Sequence, residues 1–99
     1  MSLTLRTDAG CTEAIIDDNC GFSKFQQIAE VLTDKIKVVF TGKVDNFDSM
    51  DWSFNYKGHS LILHFNIYNG ISILPQKCQD KENKAVVELA RTLKEKYYY

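Results

Sequence analysis

From residue 50 onward the side chains alternate in character. Met50, Trp52, Phe54 and Tyr56 are separated by Asp51, Ser53 and Asn55. Leu61, Leu63, Phe65 and Ile67 are separated by Ile62, His64 and Asn66. A period of two marks strands with one face buried and one face wet. With Lys57-Gly58 as a two-residue turn, Tyr56 faces His59, Phe54 faces Leu61, Trp52 faces Leu63 and Met50 faces Phe65. Each large apolar residue from Met50 to Phe54 then meets another. A slip of one residue would send one strand's apolar set to the wrong face, so the pattern fixes the register. Lysine is a weak choice where a turn needs positive φ.

The next turn admits two lengths. A two-residue Asn69-Gly70 loop sets Ile71 against Tyr68 and Ile73 against Asn66. A three-residue loop, Tyr68-Asn69-Gly70, sets Ile71 against Ile67, Ile73 against Phe65 and Asn66 against Ser72. The longer loop keeps the apolar face continuous and puts Gly70 in the left-handed position, so it is preferred. Pro75 closes the strand that follows, having no N–H to donate.

The remaining elements are read from period and punctuation. Cys11–Ile16 reads as a strand, with Leu3 and Leu5 as a candidate upstream extension. Ser23 and Gln26 have capping-box spacing, and Phe25, Ile28, Ala29 and Leu32 recur at helical spacing, which predicts a helix over 23–33. Lys37–Thr41 is β-branched and aromatic, hence a strand. Asp45–Ser49 reads as a polar loop around one buried phenylalanine, Phe47. A second helix opens near Asp80, with Val86, Leu89, Ala90, Leu93 and Tyr97 on one stripe. Lys84 with Glu88 and Arg91 with Glu95 are spaced as ion pairs on its wet side. The order β-α-β-β-β-β-α, with a tight-turned meander, predicts a two-layer α+β domain: a mainly antiparallel sheet with two helices on one face. Trp52 is expected to be largely buried beneath them. Strands 11–16 and 71–74 are the candidate sheet edges.

Composition then limits function. The 99 residues are 44% hydrophobic and 25% charged, which suits one folded domain over residues 1–99 and excludes a disordered chain. The net charge of -1 gives no general attraction to nucleic acid or to an anionic membrane, and neither is expected as a partner. The balance is uneven. Residues 1–51 carry five basic and nine acidic side chains, residues 52–99 seven basic and four acidic. No stretch approaches the ~20 apolar residues of a membrane helix, and no signal-peptide pattern opens the chain. Cys11, Cys20 and Cys78 match no zinc spacing and are read as three reduced thiols in a cytoplasmic protein.

No phosphate loop, nucleophile elbow, zinc helix or calcium loop is present, and no cofactor or metal is expected. Two sets of residues stand as binding candidates. On the wet sheet face the register brings Asp51 opposite His64, near Asn66; a carboxylate that orients an imidazole suits acid–base work or ligand binding. Asp17, Asp18, Asp45, Asp48 and Asp51 form an acidic set suited to a basic partner. The bland reading of both is solvated surface. A structural thiol is likewise the plain reading of each cysteine, and the terminal Tyr97-Tyr98-Tyr99 reads as core stripe followed by a fray.

The hairpin Trp52-Ser53-Phe54 with Leu61-Ile62-Leu63-His64-Phe65, between a capped and an amphipathic helix, resembles small bacterial α+β proteins, among them toxin-neutralising immunity proteins. The resemblance covers the order of elements over 11–96. It implies a cytoplasmic, partner-binding role and transfers no functional residue. The reading is therefore a non-catalytic protein-binding module, with the acidic loops meeting a basic partner. The alternative is a small-ligand-binding protein or an enzyme using Asp51 and His64. A homodimer through a sheet edge, or through the open face bearing Ile62 and Leu74, is also expected.

Overall fold

The computed structural model describes residues 4–8, 10–17, 22–68 and 70–97. Six strands are present: β1 (Thr4–Asp8), β2 (Cys11–Asp17), β3 (Phe40–Asp45), β4 (Ser49–Tyr56), β5 (His59–Asn66) and β6 (Gly70–Pro75). Helices α1 (Phe22–Val31) and α2 (Asp80–Thr92) each end in a five-residue π-helical turn, Leu32–Ile36 and Leu93–Tyr97. The strands form one antiparallel sheet in the order β1-β2-β6-β5-β4-β3. This is the anticipated α+β architecture, with one strand more. Gly10, at φ +83°, turns the chain back, so the upstream segment pairs with β2 as a separate strand instead of extending it.

The apolar half of each central strand faces the helices. Ala14, Ile16, Phe54, Leu61, Leu63, Phe65, Ile71 and Ile73 pack with Phe25, Ile28 and Leu32 of α1 and its π turn. Val86, Leu89, Ala90 and Leu93 close the other half of the layer. The helical stripes read from the sequence are thus the buried stripes, save Tyr97, whose side chain lies outside the described residues. Helix α1 starts one residue before Ser23, which therefore lies in the first turn and is not its cap. It ends where Lys37 adopts φ 67° and returns its N–H to the Leu32 carbonyl. That left-handed exit uses up the first part of the β-branched run, and β3 begins only at Phe40.

The β4–β5 register is the expected one, residue for residue, from Tyr56 opposite His59 to Met50 opposite Phe65. The turn holds Lys57 at φ 51° and Gly58 at φ 83°, so lysine does occupy the unfavourable position. The β5–β6 register differs. Phe65 faces Ile71, Leu63 faces Ile73 and His64 faces Ser72, so the three-residue loop is 67–69 and Gly70 is the first residue of β6. The displacement is two residues, which conserves the faces but moves Ile67 out of the sheet and sets Ser72 opposite His64, not Asn66.

Two further expectations fail. Strand β6 lies between β2 and β5, so neither it nor β2 is an edge; β1 and β3 are. That removes any dimer built on an edge of β6. Phe47 is fully exposed, because the β3–β4 turn it tips has nothing packed above it. Trp52 packs against the core beside α1 as expected and keeps only a partial exposure on the β3 side, where the cover of α1 ends.

Several contacts tie α2 to the sheet. Asn83 donates from Nδ2 to the Gly10 carbonyl at 2.8 Å, and its Oδ1 accepts the Thr12 N–H at 3.0 Å. Beside it, Cys11 and Cys78 form a disulfide, with Cα atoms 4.5 Å apart. Two of the three thiols expected to be free are therefore joined; Cys20 lies outside the described residues. At the same end of the sheet His59 Nδ1 sits 2.7 Å from Glu82 Oε2. Lys57 Nζ and the Tyr56 hydroxyl both donate to Glu88 Oε1, at 2.5 and 3.2 Å. Glu88 thus serves the β4–β5 turn, not the helical pair with Lys84.

Two predictions follow from these contacts. Gly70 has φ +83°, where a Cβ costs roughly 1–2 kcal/mol. Gly70→Ala should lower the urea-unfolding free energy by about that amount; no loss would mean that the turn adopts another geometry. The Glu88 clasp should also shape the pH profile. The hydrogen bond from Lys57 holds the Glu88 carboxyl below its ordinary 4.5. Burial, then the Glu88 charge, holds the Tyr56 phenol above 10.0. The hydrogen bond to Glu88 likewise raises the Lys57 ammonium above 10.5. The lowered carboxyl stabilises the fold above its unfolded value, and this is lost as pH falls through the folded one. The raised groups stabilise it below their unfolded values, and this is lost as pH rises through the folded ones. Urea midpoints should therefore be highest between these limits, and Glu88→Gln should lower the plateau and flatten the acid limb. An unchanged acid limb would assign it to other carboxylates.

Candidate functional site

Alternation in β4, β5 and β6 forces Asp51, His64 and Ser72 onto the uncovered face, and the register lines them up across three adjacent strands. Asp51 Oδ1 and His64 Nδ1 are hydrogen-bonded. Their side chains are 43% and 25% exposed. The order carboxylate, imidazole, hydroxyl is that of a nucleophilic triad, which requires the imidazole to contact the hydroxyl. Ser72 Oγ makes no hydrogen bond to His64, and Ser72 is buried to 4% exposure among its neighbours. Three grooves lined by described residues lie on other surfaces, along α2, between α1 and β3, and beside the β4–β5 turn. The pair is an oriented imidazole on an open sheet, without the hollow that encloses a substrate. Among the described residues no three His, Cys, Asp or Glu side chains are grouped to hold a metal.

The other candidates are brought together by topology. Residues Asp17, Ile71, Phe65, Met50 and Asp45 stand in one row across β2, β6, β5, β4 and β3. The exit of β2 and the tips of both hairpins therefore share one end of the sheet. Asp48 lies on the β3–β4 tip, whose turn is closed by the Asn46 N–H on the Ser49 carbonyl at 2.8 Å. The Ile67 N–H donates to the Asp48 carbonyl at 3.1 Å, which joins the two tips. Asn66 Oδ1 accepts the Tyr68 N–H at 2.8 Å, an Asx-type closure that sets the second tip. Asn66 is thus a turn-former and not a companion of His64. Asp45 accepts the indole N–H of Trp52 at 2.8 Å. The side chain of Asp17, and Asp18 as a whole, lie outside the described residues.

What the sequence did not reveal is the apolar content of this end. Phe47 is 104% exposed, Tyr68 76% and Ile67 53%, and Val44 beside them on β3 is also exposed. Isolated exposed hydrophobics are ordinary; several on two joined tips form a patch of the kind used for contact with another molecule. The one available signal was the Asp-Asn-Phe-Asp run, in which a phenylalanine between polar turn-formers is as compatible with a tip as with a buried anchor.

An open antiparallel six-stranded sheet with two helices packed on it makes this a small two-layer α+β protein. The sequence model of the family described as Protein of unknown function (DUF3630) matches residues 3–94, and the chain belongs to that family. No curated protein and no solved structure gives a significant match. No helix among the described residues is long and apolar enough to cross a membrane.

The open-face pair yields its own prediction. Asp51→Asn should change stability by less than about 1 kcal/mol, the range of solvent-accessible pairs. A larger loss in urea unfolding would show that the pair is held by surroundings beyond its own contact.

Proposed function

We propose that this chain is a non-catalytic protein-binding module whose contact surface is the sheet end carrying the β3–β4 and β5–β6 tips. The observation that carries the reading is the exposure of Phe47, Ile67 and Tyr68 on two tips tied by the Ile67–Asp48 hydrogen bond. Aromatic side chains of this kind supply most of the energy at interfaces. The acidic Asp48 on the tip favours a basic partner and would speed its encounter. An immunity-type role against a basic toxin is the specific form of this reading, supported by that charge and by the order of elements. The cytoplasmic placement rested on free thiols, and the Cys11–Cys78 disulfide withdraws that support.

The test compares affinity capture by the wild type, Phe47→Ser/Tyr68→Ser, and Val39→Ser, a control at another exposed apolar position. Because the exchanged residues are exposed, unfolding free energies should move by no more than about 0.5 kcal/mol per site. A stoichiometric partner should be retained by the wild type and the control and lost from the double variant, with retention falling as salt rises. Equal capture by the double variant would overturn the reading.

A further inference from the structure

We propose that the groove between α1 and β3 is a binding site for a methylated ammonium compound, held on the faces of Trp52 and Phe40 in the place where the chain's own Lys43 ammonium now rests. The groove has a volume of about 310 Å³ and is lined by Gln26, Ala29, Glu30, Phe40, Lys43 and Trp52, with Thr33 at its end. The Trp52 and Phe40 rings stand nearly perpendicular, 76° between planes and 5.3 Å between centroids, and so form two walls of a corner. Lys43 Nζ lies in that corner, 4.4 Å from the Trp52 centroid and 5.8 Å from that of Phe40. A cation is thus already seated where the negative faces of two aromatic rings converge.

The surroundings are arranged to keep the corner in shape. Phe25, fully buried, meets Trp52 edge-on at 4.9 Å and 85° and backs the indole from the core side. The indole N–H donates to the Asp45 carboxylate at 2.8 Å, which fixes the ring and enriches its π face. Asp45 is in this sense a positioning residue. Glu30 supplies a carboxylate across the groove. Lys43 forms no ion pair among the described residues, so its ammonium is held by the rings on a flexible, exposed stem. A lysine is heavily hydrated and spends hydration to sit on a ring, whereas a methylated ammonium is weakly hydrated and has the apolar surface to fill the corner. Trp52 packs on the core with part of its ring left uncovered, and that part lines the groove.

Trp52 is the only tryptophan, so its emission reports the site directly. The probes are choline and its uncharged isostere 3,3-dimethyl-1-butanol, titrated with sodium chloride holding ionic strength constant. Choline should give a saturable change in emission, and the neutral isostere should bind at least about threefold more weakly, since it lacks the charge that the rings attract. Lys43→Gln should tighten choline binding by roughly three- to tenfold by removing the internal competitor, and Glu30→Gln should weaken it. Both exchanged side chains are exposed, so these variants should fold as the wild type does. No saturable response in either the wild type or Lys43→Gln would overturn the proposal. So would equal affinity for choline and the isostere, or unchanged affinity in both variants.

Discussion

The structure depends on covering one face of the central strands. Strands β4, β5 and β6 present Phe54, Leu61, Leu63, Phe65, Ile71 and Ile73 in registered rows, and an apolar sheet face of this size is stable only when another layer removes it from water. Helix α2 lies over β2, β6 and β5, while α1 reaches β5 and the near side of β4 through Phe25. Two helices cannot roof six strands evenly. The roof ends before β3, and the half-exposed Trp52–Phe40 corner is the direct result.

The contacts along the start and middle of α2 show how a small domain secures such a roof. The Cys11–Cys78 disulfide and the Asn83 side chain join the β1–β2 turn to the start of the helix. Glu82 in its first turn and Glu88 further along join it to the β4–β5 turn through His59, Lys57 and Tyr56. Lysine at φ 51° is locally unfavourable, and its ammonium on Glu88 gives that cost a compensating contact. The polar groups that look like helical surface decoration are therefore the fastenings between layers.

Function is distributed in the opposite sense. The reverse sheet face carries the Asp51–His64 pair, aligned with Ser72 but not joined to it, and no hollow encloses them. The features proposed for recognition stand where packing stops: the exposed aromatic tips at one end of the sheet and the ring corner beside β3.

The alternation over residues 50–67 was sufficient by itself to determine the β4–β5 hairpin, its register and its buried face, because period two ties every residue to its neighbours. The helical stripes were legible for the same reason, and with them the two-layer class. The pairing of Asp51 with His64 was legible because it follows from that register alone. Where a second constraint was needed, the sequence was silent. The two-residue displacement of the β5–β6 loop conserves the faces, so hydrophobic patterning cannot distinguish it from the loop one would choose. It is set by Asn66 on the Tyr68 N–H and by Ile67 on Asp48, contacts between turns. The interior place of β6, the meeting of Cys11 with Cys78 across 67 residues, and the exposure of Phe47 and Trp52 depend on which strands become neighbours and how far the helices reach. Those are properties of distant chain segments packed together, and no local period encodes them.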